Sequence, residues 1–122
     1  MKFAIFSLNK PLVRAYRKII RKNFIYDEAK PDIVISLGGD GTFLMAERSY
    51  PGVPKLLIRN SNICNKCDWD SLSPILGKLK RKEFRIEENA KLHAEFKGEK
   101  RLAVNDFVIR NKTPIHAIRF LL

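Results

Sequence analysis

The first 82 residues alternate between short apolar runs and segments with helical periodicity. Three apolar runs have the length of buried strands and end at residues that break a strand: 2–8, 32–37 and 55–58. Three other segments place their apolar side chains at helical spacing: 11–24, 42–48 and 72–79. The order strand, helix, strand, helix, strand, helix predicts an α/β unit built on a parallel sheet.

The pattern changes after residue 82, where strand-like stretches follow one another without a helix between them: 84–88, 91–97, 101–110 and 116–122. Residues 97–100 (KGEK) favour a hairpin connection. The chain is therefore expected to comprise an α/β domain, 1–82, and a β-strand segment, 83–122. Forty residues of strand are too few for a sheet core of their own.

Composition narrows the protein class further. A chain of 122 residues allows one compact domain, and its 45% hydrophobic content is too high for a disordered tail. No apolar run is long enough to span a membrane, and the N-terminal run lacks the features of a signal peptide, so we expect a cytoplasmic protein. Cys64 and Cys67 have the spacing of half a zinc site, but no second pair is present and no metal site is expected.

The net charge favours an anionic partner. There are 24 Lys and Arg residues against 13 Asp and Glu, which gives +11. Nucleic acid, a membrane surface and a phosphorylated small molecule would all suit this charge. No zinc-finger ligand set or aromatic RNA-binding strand is present, so the basic helix faces are interpreted as solvated surface.

The most informative segment is a glycine turn, defined here as residues 38–42 (GGDGT), between a predicted strand and a predicted helix. Glycines let the backbone approach a ligand closely, and a helix start attracts phosphate. Asp40 would repel a bare phosphate, so it is expected to accept a proton or to hold a divalent cation. No P-loop lysine follows the turn, and Leu44 occupies the third glycine position of a dinucleotide-binding fingerprint. An ordinary turn is the alternative.

The glycine turn resembles the nucleotide-binding signature of NAD kinases and of the related diacylglycerol and sphingosine kinases. Residues 102–109 (LAVNDFVI) decide between them, because their Asn-Asp pair is similar to the Asn-Glu/Asp motif of NAD kinases. The resemblance implies a three-layer, Rossmann-like α/β fold with a parallel sheet and helices. It also implies a second, all-β domain, of which 83–122 would be only the opening strands.

The resemblance also implies roles for individual residues. Asp40 would be the general base that takes the proton of the 2′-hydroxyl of the adenosine ribose of NAD. The residues that would lie against phosphates are Gly38, Gly39, Gly41 and Thr42. Asn105 would hydrogen-bond the adenine of NAD, and Asp106 would complete that contact region. The implied phosphate donor is ATP with Mg²⁺, or polyphosphate, and the implied assembly is a homo-oligomer that does not contact a membrane.

Two departures from the family pattern keep other functions open. Residues 60–69 lack the usual Gly-x-Leu-Gly-Phe segment, and the Gly-Ser/Thr-rich motif of the β-domain is absent from these 122 residues. The alternatives are a nucleotide-binding module without turnover, a basic nucleic-acid-binding domain and a lipid kinase of the diacylglycerol type.

Overall fold

The computed structural model describes residues 1–58, 72–110 and 113. The helices and strands follow in this order: β1 (Lys2–Phe6), α1 (Lys10–Asn23), β2 (Ile25–Tyr26), β3 (Ile33–Leu37), α2 (Asp40–Ser49), β4 (Lys55–Ile58), α3 (Leu72–Arg81), β5 (Leu92–Phe96) and β6 (Glu99–Ala103). The chain divides into two compact units between residues 86 and 87. The first contains a four-stranded parallel sheet with helices, which confirms the predicted α/β class.

The sheet of the first unit has the strand order β2-β1-β3-β4. From β1 the chain passes through α1 to β2 at one side, and from β3 it passes through α2 to β4 at the other. Crossover connections between parallel strands are almost always right-handed. Because the β1-α1-β2 and β3-α2-β4 crossovers run in opposite directions along the sheet, α1 and α2 lie on opposite faces of the sheet. The result is a three-layer unit whose strand order reverses between β1 and β3. Such a reversal is where open α/β sheets bind ligands.

The core of the first unit lies on the face of the sheet covered by α1 and α3. Alternate residues of β1 and β3 meet apolar side chains of both helices there: Phe3, Ile5, Ile33, Ile35, Leu37, Tyr16, Ile20, Leu76 and Leu79. Burying each large side chain contributes about 1.5–3 kcal/mol. The intervening strand residues Ala4 and Val34 point to the other face and are also fully buried. Burial on both faces explains why these strands are continuous apolar runs.

A partly buried ion pair connects α2 to β4. The Lys55 ammonium contacts the Glu47 carboxylate and also donates to the carbonyl oxygen of Tyr50. The second Glu47 oxygen accepts from the backbone N–H of Gly52 at 3.0 Å. These bonds fix the end of α2 and the turn that follows it. They thereby hold the end of α2 against β4.

The loop after β2 is held by Asp27, and this predicts a pH dependence of stability. The pKa of Asp27 is lowered, first because the Lys30 N–H donates to its Oδ1 and then because the Lys2 ammonium donates to its Oδ2. Because the folded-state pKa is lowered, the ionised carboxylate stabilises the fold at pH values above the unfolded pKa of about 3.9. This stabilisation is lost as the pH falls through the folded-state pKa. Asp27→Asn should therefore lower the free energy of unfolding by more at neutral pH than at about pH 3, which lies below the unfolded pKa. Urea unfolding at both pH values measures this, and an equal loss at both would contradict it.

The second unit contains the hairpin β5–β6, an antiparallel pair joined by Lys97 and Gly98. Both turn residues have positive φ, at 50° and 79°, as the tight turn of a two-residue hairpin requires. The hairpin prediction at 97–100 is thus confirmed. The strand predicted at 84–88 is wrong: this segment has no regular structure, and its Phe84 and Ile86 are exposed.

Two other boundaries differ from the sequence-based expectation. The strand expected over 101–110 ends at Ala103, after which the chain bends at residues 104 and 105. The two-residue strand β2 was not expected at all. The strand predicted at 116–122 lies outside the described residues. In the parts of the chain that the structure describes, no helix has the length and apolar character needed to cross a membrane.

Candidate functional site

The glycine turn lies at the reversal of strand order, directly after β3 and at the start of α2. The Gly38 N–H donates to the carbonyl oxygen of Ile58 at 3.0 Å, which ties the turn to the end of β4. Gly39 is the N-cap of α2 and provides no side-chain hydrogen bond to the first helical N–H groups. Backbone N–H groups at such a helix start can bind an anion. The turn therefore has the position and the backbone chemistry of a phosphate site.

The three glycines of the turn differ in whether the fold requires glycine at their position. Gly38 has a φ of 153°, and a Cβ there would lie 2.3 Å from Thr42 Oγ1, so the fold itself requires glycine. A Cβ on Gly39 or Gly41 would meet no heavy atom of the described residues within 4 Å. The packing of the chain does not require glycine at these two positions. Their open surroundings would let a ligand approach the backbone.

Asp40 is the first residue of α2, and its side chain is exposed. A carboxylate in the first helical turn interacts favourably with the helix dipole, so the position suits its charge. Gly39 and Gly41 flank it on either side. A ligand that approaches those open positions would come within reach of the Asp40 carboxylate. This arrangement fits both expectations for Asp40, proton acceptance and cation binding.

The loop after β1 contacts the residue that precedes the glycine turn. Ser7 Oγ donates to the carbonyl oxygen of Leu37 at 2.7 Å, and the Asn9 N–H donates to Ser7 Oγ at 3.2 Å. Asn9 also caps α1, because its Oδ1 accepts from the Leu12 N–H at 3.1 Å. Sequence reasoning missed Ser7. The available signal was a pair of polar residues where the first strand ends, beside the strand that leads into the glycines.

The remaining predicted site residues belong to the second unit. Asn105 and Asp106 follow β6, and both side chains are exposed. The structure therefore places Gly38, Gly39, Asp40, Gly41 and Thr42 together in one turn, and Asn105 and Asp106 next to each other in another segment. The roles assigned to all seven stay predictions. The Cys64 and Cys67 pair lies outside the described residues.

Comparison with known proteins adds the family context. A NAD kinase of Sulfurisphaera tokodaii is 29% identical to this chain over 121 residues, which cover 93% of the chain. The chain is similar to this NAD kinase over most of its own length. A second NAD kinase, from Lactococcus lactis, is 42% identical over 43 residues, 34% of the chain and 16% of that relative. No family model matches the sequence. The chain spans about half, 48%, of the length of the Sulfurisphaera relative.

Proposed function

We propose that the chain is the nucleotide-binding part of an enzyme that transfers a phosphoryl group from ATP to the 2′-hydroxyl of the adenosine ribose of NAD, which gives NADP. The observation that carries the proposal is the glycine turn, with an exposed aspartate between two open glycine positions at the strand-order reversal. The similarity to two NAD kinases supports the same substrate. The proposal assigns this reaction to the whole protein that contains these residues.

Asp40 is the proposed general base. Phosphoryl transfer depends mainly on positioning and on electrostatic stabilisation, with one group that accepts the proton of the attacking hydroxyl. An exposed carboxylate fixed at the first position of a helix can do this without moving its backbone. The amides of Gly39 and Gly41 would then face the phosphates.

Thr42 and Gly38 have a supporting role in the proposed site. The Thr42 side chain lies directly over Gly38, where a Cβ would come within 2.8 Å of Thr42 Cβ. The Thr42 side chain therefore lies against the Gly38 backbone, where β3 leads into α2. The proposed phosphate contacts of the turn therefore depend on the Gly38 and Thr42 pair.

Asn105 is the proposed reader of adenine. Its amide carries both a donor and an acceptor, which can pair with the edge of the base. The exposed position of Asn105 after β6 leaves the amide accessible to solvent and hence to a ligand. Asp106 would contribute its carboxylate next to this contact. A homo-oligomer is part of the same proposal through the family resemblance.

The proposed divalent cation is Mg²⁺, which would arrive with ATP. Among the residues that the structure describes, no group of three or more His, Cys, Asp or Glu side chains could hold a metal ion. Mg²⁺ is commonly bound by one or two carboxylates together with substrate phosphates and water. The exposed Asp40 fits that mode, in which the cation neutralises charge on the phosphates.

The activity test compares Asp40→Asn with a matched surface variant. With ATP, Mg²⁺ and NAD, the wild-type protein should form NADP, and Asp40→Asn should lower kcat by about 10²–10⁴-fold because the proton acceptor is lost. Glu83→Gln makes the same chemical change at an exposed ion pair with Arg81 and should leave kcat unchanged. Full activity of Asp40→Asn would remove its assigned role. Calorimetric binding of NAD without NADP formation would support a binding module without turnover.

A further inference from the structure

A second concave site lies between β1 and α1, on a different side of β1 from β3. It is a pocket of about 310 Å³. Its apolar wall comes from Ile5, Phe6 and Val13, and Ser7 adds a hydroxyl. The rest of the lining consists of three basic side chains of α1: Lys10, Arg14 and Arg17. Among the residues that the structure describes, no acidic side chain lines the pocket.

The three cations form one row along the helix. Their positions are four and three residues apart, so they share one face of α1. With a rise of 1.5 Å per residue, the row from Lys10 to Arg17 extends over about 10 Å. Its first member lies in the opening turn of α1, where the dipole is positive and no acidic residue is present. The row therefore presents positive charge over a length greater than that of a single small anion.

The charges of the row are only partly neutralised. Arg17 contacts Glu28, and its guanidinium lies 4.9 Å from the centre of the Tyr26 ring. Its Nε is nevertheless buried without a hydrogen-bond partner among the described residues. In the same part of the chain, neither Lys10 nor Arg14 forms an ion pair. An anion in the pocket would supply the missing partner charge.

The sheet leaves room for a ligand at this place. The pairing of β2 with β1 ends at Phe3, and the Asp27 N–H then donates to the Phe3 carbonyl oxygen at 2.9 Å. Beyond Phe3, the described residues pair β1 only on its β3 side, as far as Phe6. The pocket lies beside this unpaired part of β1, below the row of cations.

We infer that the pocket binds an oligophosphate chain, either free inorganic polyphosphate or the triphosphate part of a nucleotide. Linked phosphates carry several negative charges in a line, which matches a row of three cations better than a single phosphate does. Arginine is well suited to phosphate because its planar fork can donate two parallel hydrogen bonds. This inference concerns binding alone and does not depend on the proposed kinase activity.

The experiment is a calorimetric titration of the whole chain with inorganic tripolyphosphate at fixed ionic strength. The variant Lys10→Ala/Arg14→Ala removes two cations from the pocket, whereas Lys18→Ala/Lys22→Ala removes two exposed cations elsewhere on α1. The first pair should weaken binding at least about tenfold, because each charge-assisted bond contributes that much or more. The control pair should change the Kd less than about twofold.

Further titrations separate the possible sources of the phosphate chain. A parallel loss of ATP affinity in Lys10→Ala/Arg14→Ala would identify a nucleotide tail as a ligand, and unchanged ATP affinity would identify inorganic polyphosphate. Three outcomes would overturn the inference. In the first, the wild type does not bind tripolyphosphate, and in the second, both double variants weaken binding equally. In the third outcome, a single-stranded oligonucleotide displaces tripolyphosphate and both double variants weaken that displacement equally. Asp40→Asn should bind tripolyphosphate normally, so a failed kinase proposal and a failed pocket give different results.

Discussion

Replacing Gly38 with alanine is expected to lower the free energy of unfolding by roughly 2–5 kcal/mol. At a φ of 153° a side chain is strained, and the new Cβ would lie 2.3 Å from Thr42 Oγ1 and 2.8 Å from Thr42 Cβ. Thr42 lies in the first turn of α2, so relief of the clash requires the helix start to move away from β3. Urea unfolding followed by circular dichroism measures the loss.

Two neighbouring glycines provide the matched controls for this result. Alanine at Gly39 or Gly41 places its Cβ in open space, and Gly39 has an ordinary φ of −95°. Either change should leave stability within about 1 kcal/mol of wild type, and alanine within a helix should if anything be favourable. A stability of Gly38→Ala equal to that of Gly39→Ala would contradict the described geometry of the turn.

Removing the carboxylate of Glu47 is expected to cost about 3–5 kcal/mol of stability. Only 4% of the Lys55 side chain and 13% of the Glu47 side chain are exposed. Glu47→Ala leaves the Lys55 ammonium without its counter-charge, although the Tyr50 carbonyl still accepts from it. It also removes the acceptor of the Gly52 N–H, so the turn after α2 loses its anchor.

Two further variants test whether the loss in Glu47→Ala arises from the burial of the ion pair. Glu83→Ala breaks an ion pair whose partners are more than half exposed, and it should cost less than about 1 kcal/mol. Glu47→Ala/Lys55→Met replaces the buried ammonium, which has lost its carboxylate partner, with an apolar side chain. This double variant should regain part of the lost free energy of unfolding. If Glu47→Ala were no more destabilising than Glu83→Ala, the pair would not hold α2 against β4.

The α/β fold could be predicted because its signals are local. All five residues of β3 are buried, and four of them are apolar, so the sequence displays the strand directly as an apolar run that only Ser36 interrupts. The β2 strand could not be predicted, since two residues carry no periodicity and only pairing with Lys2 and Phe3 defines them. The alternation at 84–88 failed for the opposite reason. Its apolar positions are exposed and form no regular strand in the structure.

The candidate site was predictable in composition but not in detail. The order of strand, glycines and helix places the glycine turn at a strand end, and the structure has it there. The different requirements at Gly38 and Gly41 depend on where Thr42 lies, which the sequence does not show. The contact of Ser7 with Leu37 joins residues 30 positions apart and follows from the pairing of β1 with β3.

The row of cations on α1 was interpreted from sequence as solvated surface. Helical spacing placed these side chains away from the main apolar stripe, and charged helix faces are usually solvated. The pocket arises because β2 is short and leaves part of β1 uncovered on one side within the described residues. The sequence could not indicate this, because a strand of two residues such as β2 is too short to show a periodic pattern.

The most direct measurement of the central claim, that the glycine turn binds a nucleotide, is a calorimetric titration of wild type and Gly41→Ala with NAD. Gly41 faces open space, so its alanine variant should fold with wild-type stability and obstruct only a ligand that approaches the turn. We predict that the Kd for NAD rises by about tenfold or more, the cost of one lost close contact. An unchanged Kd in a folded Gly41→Ala protein would contradict the claim.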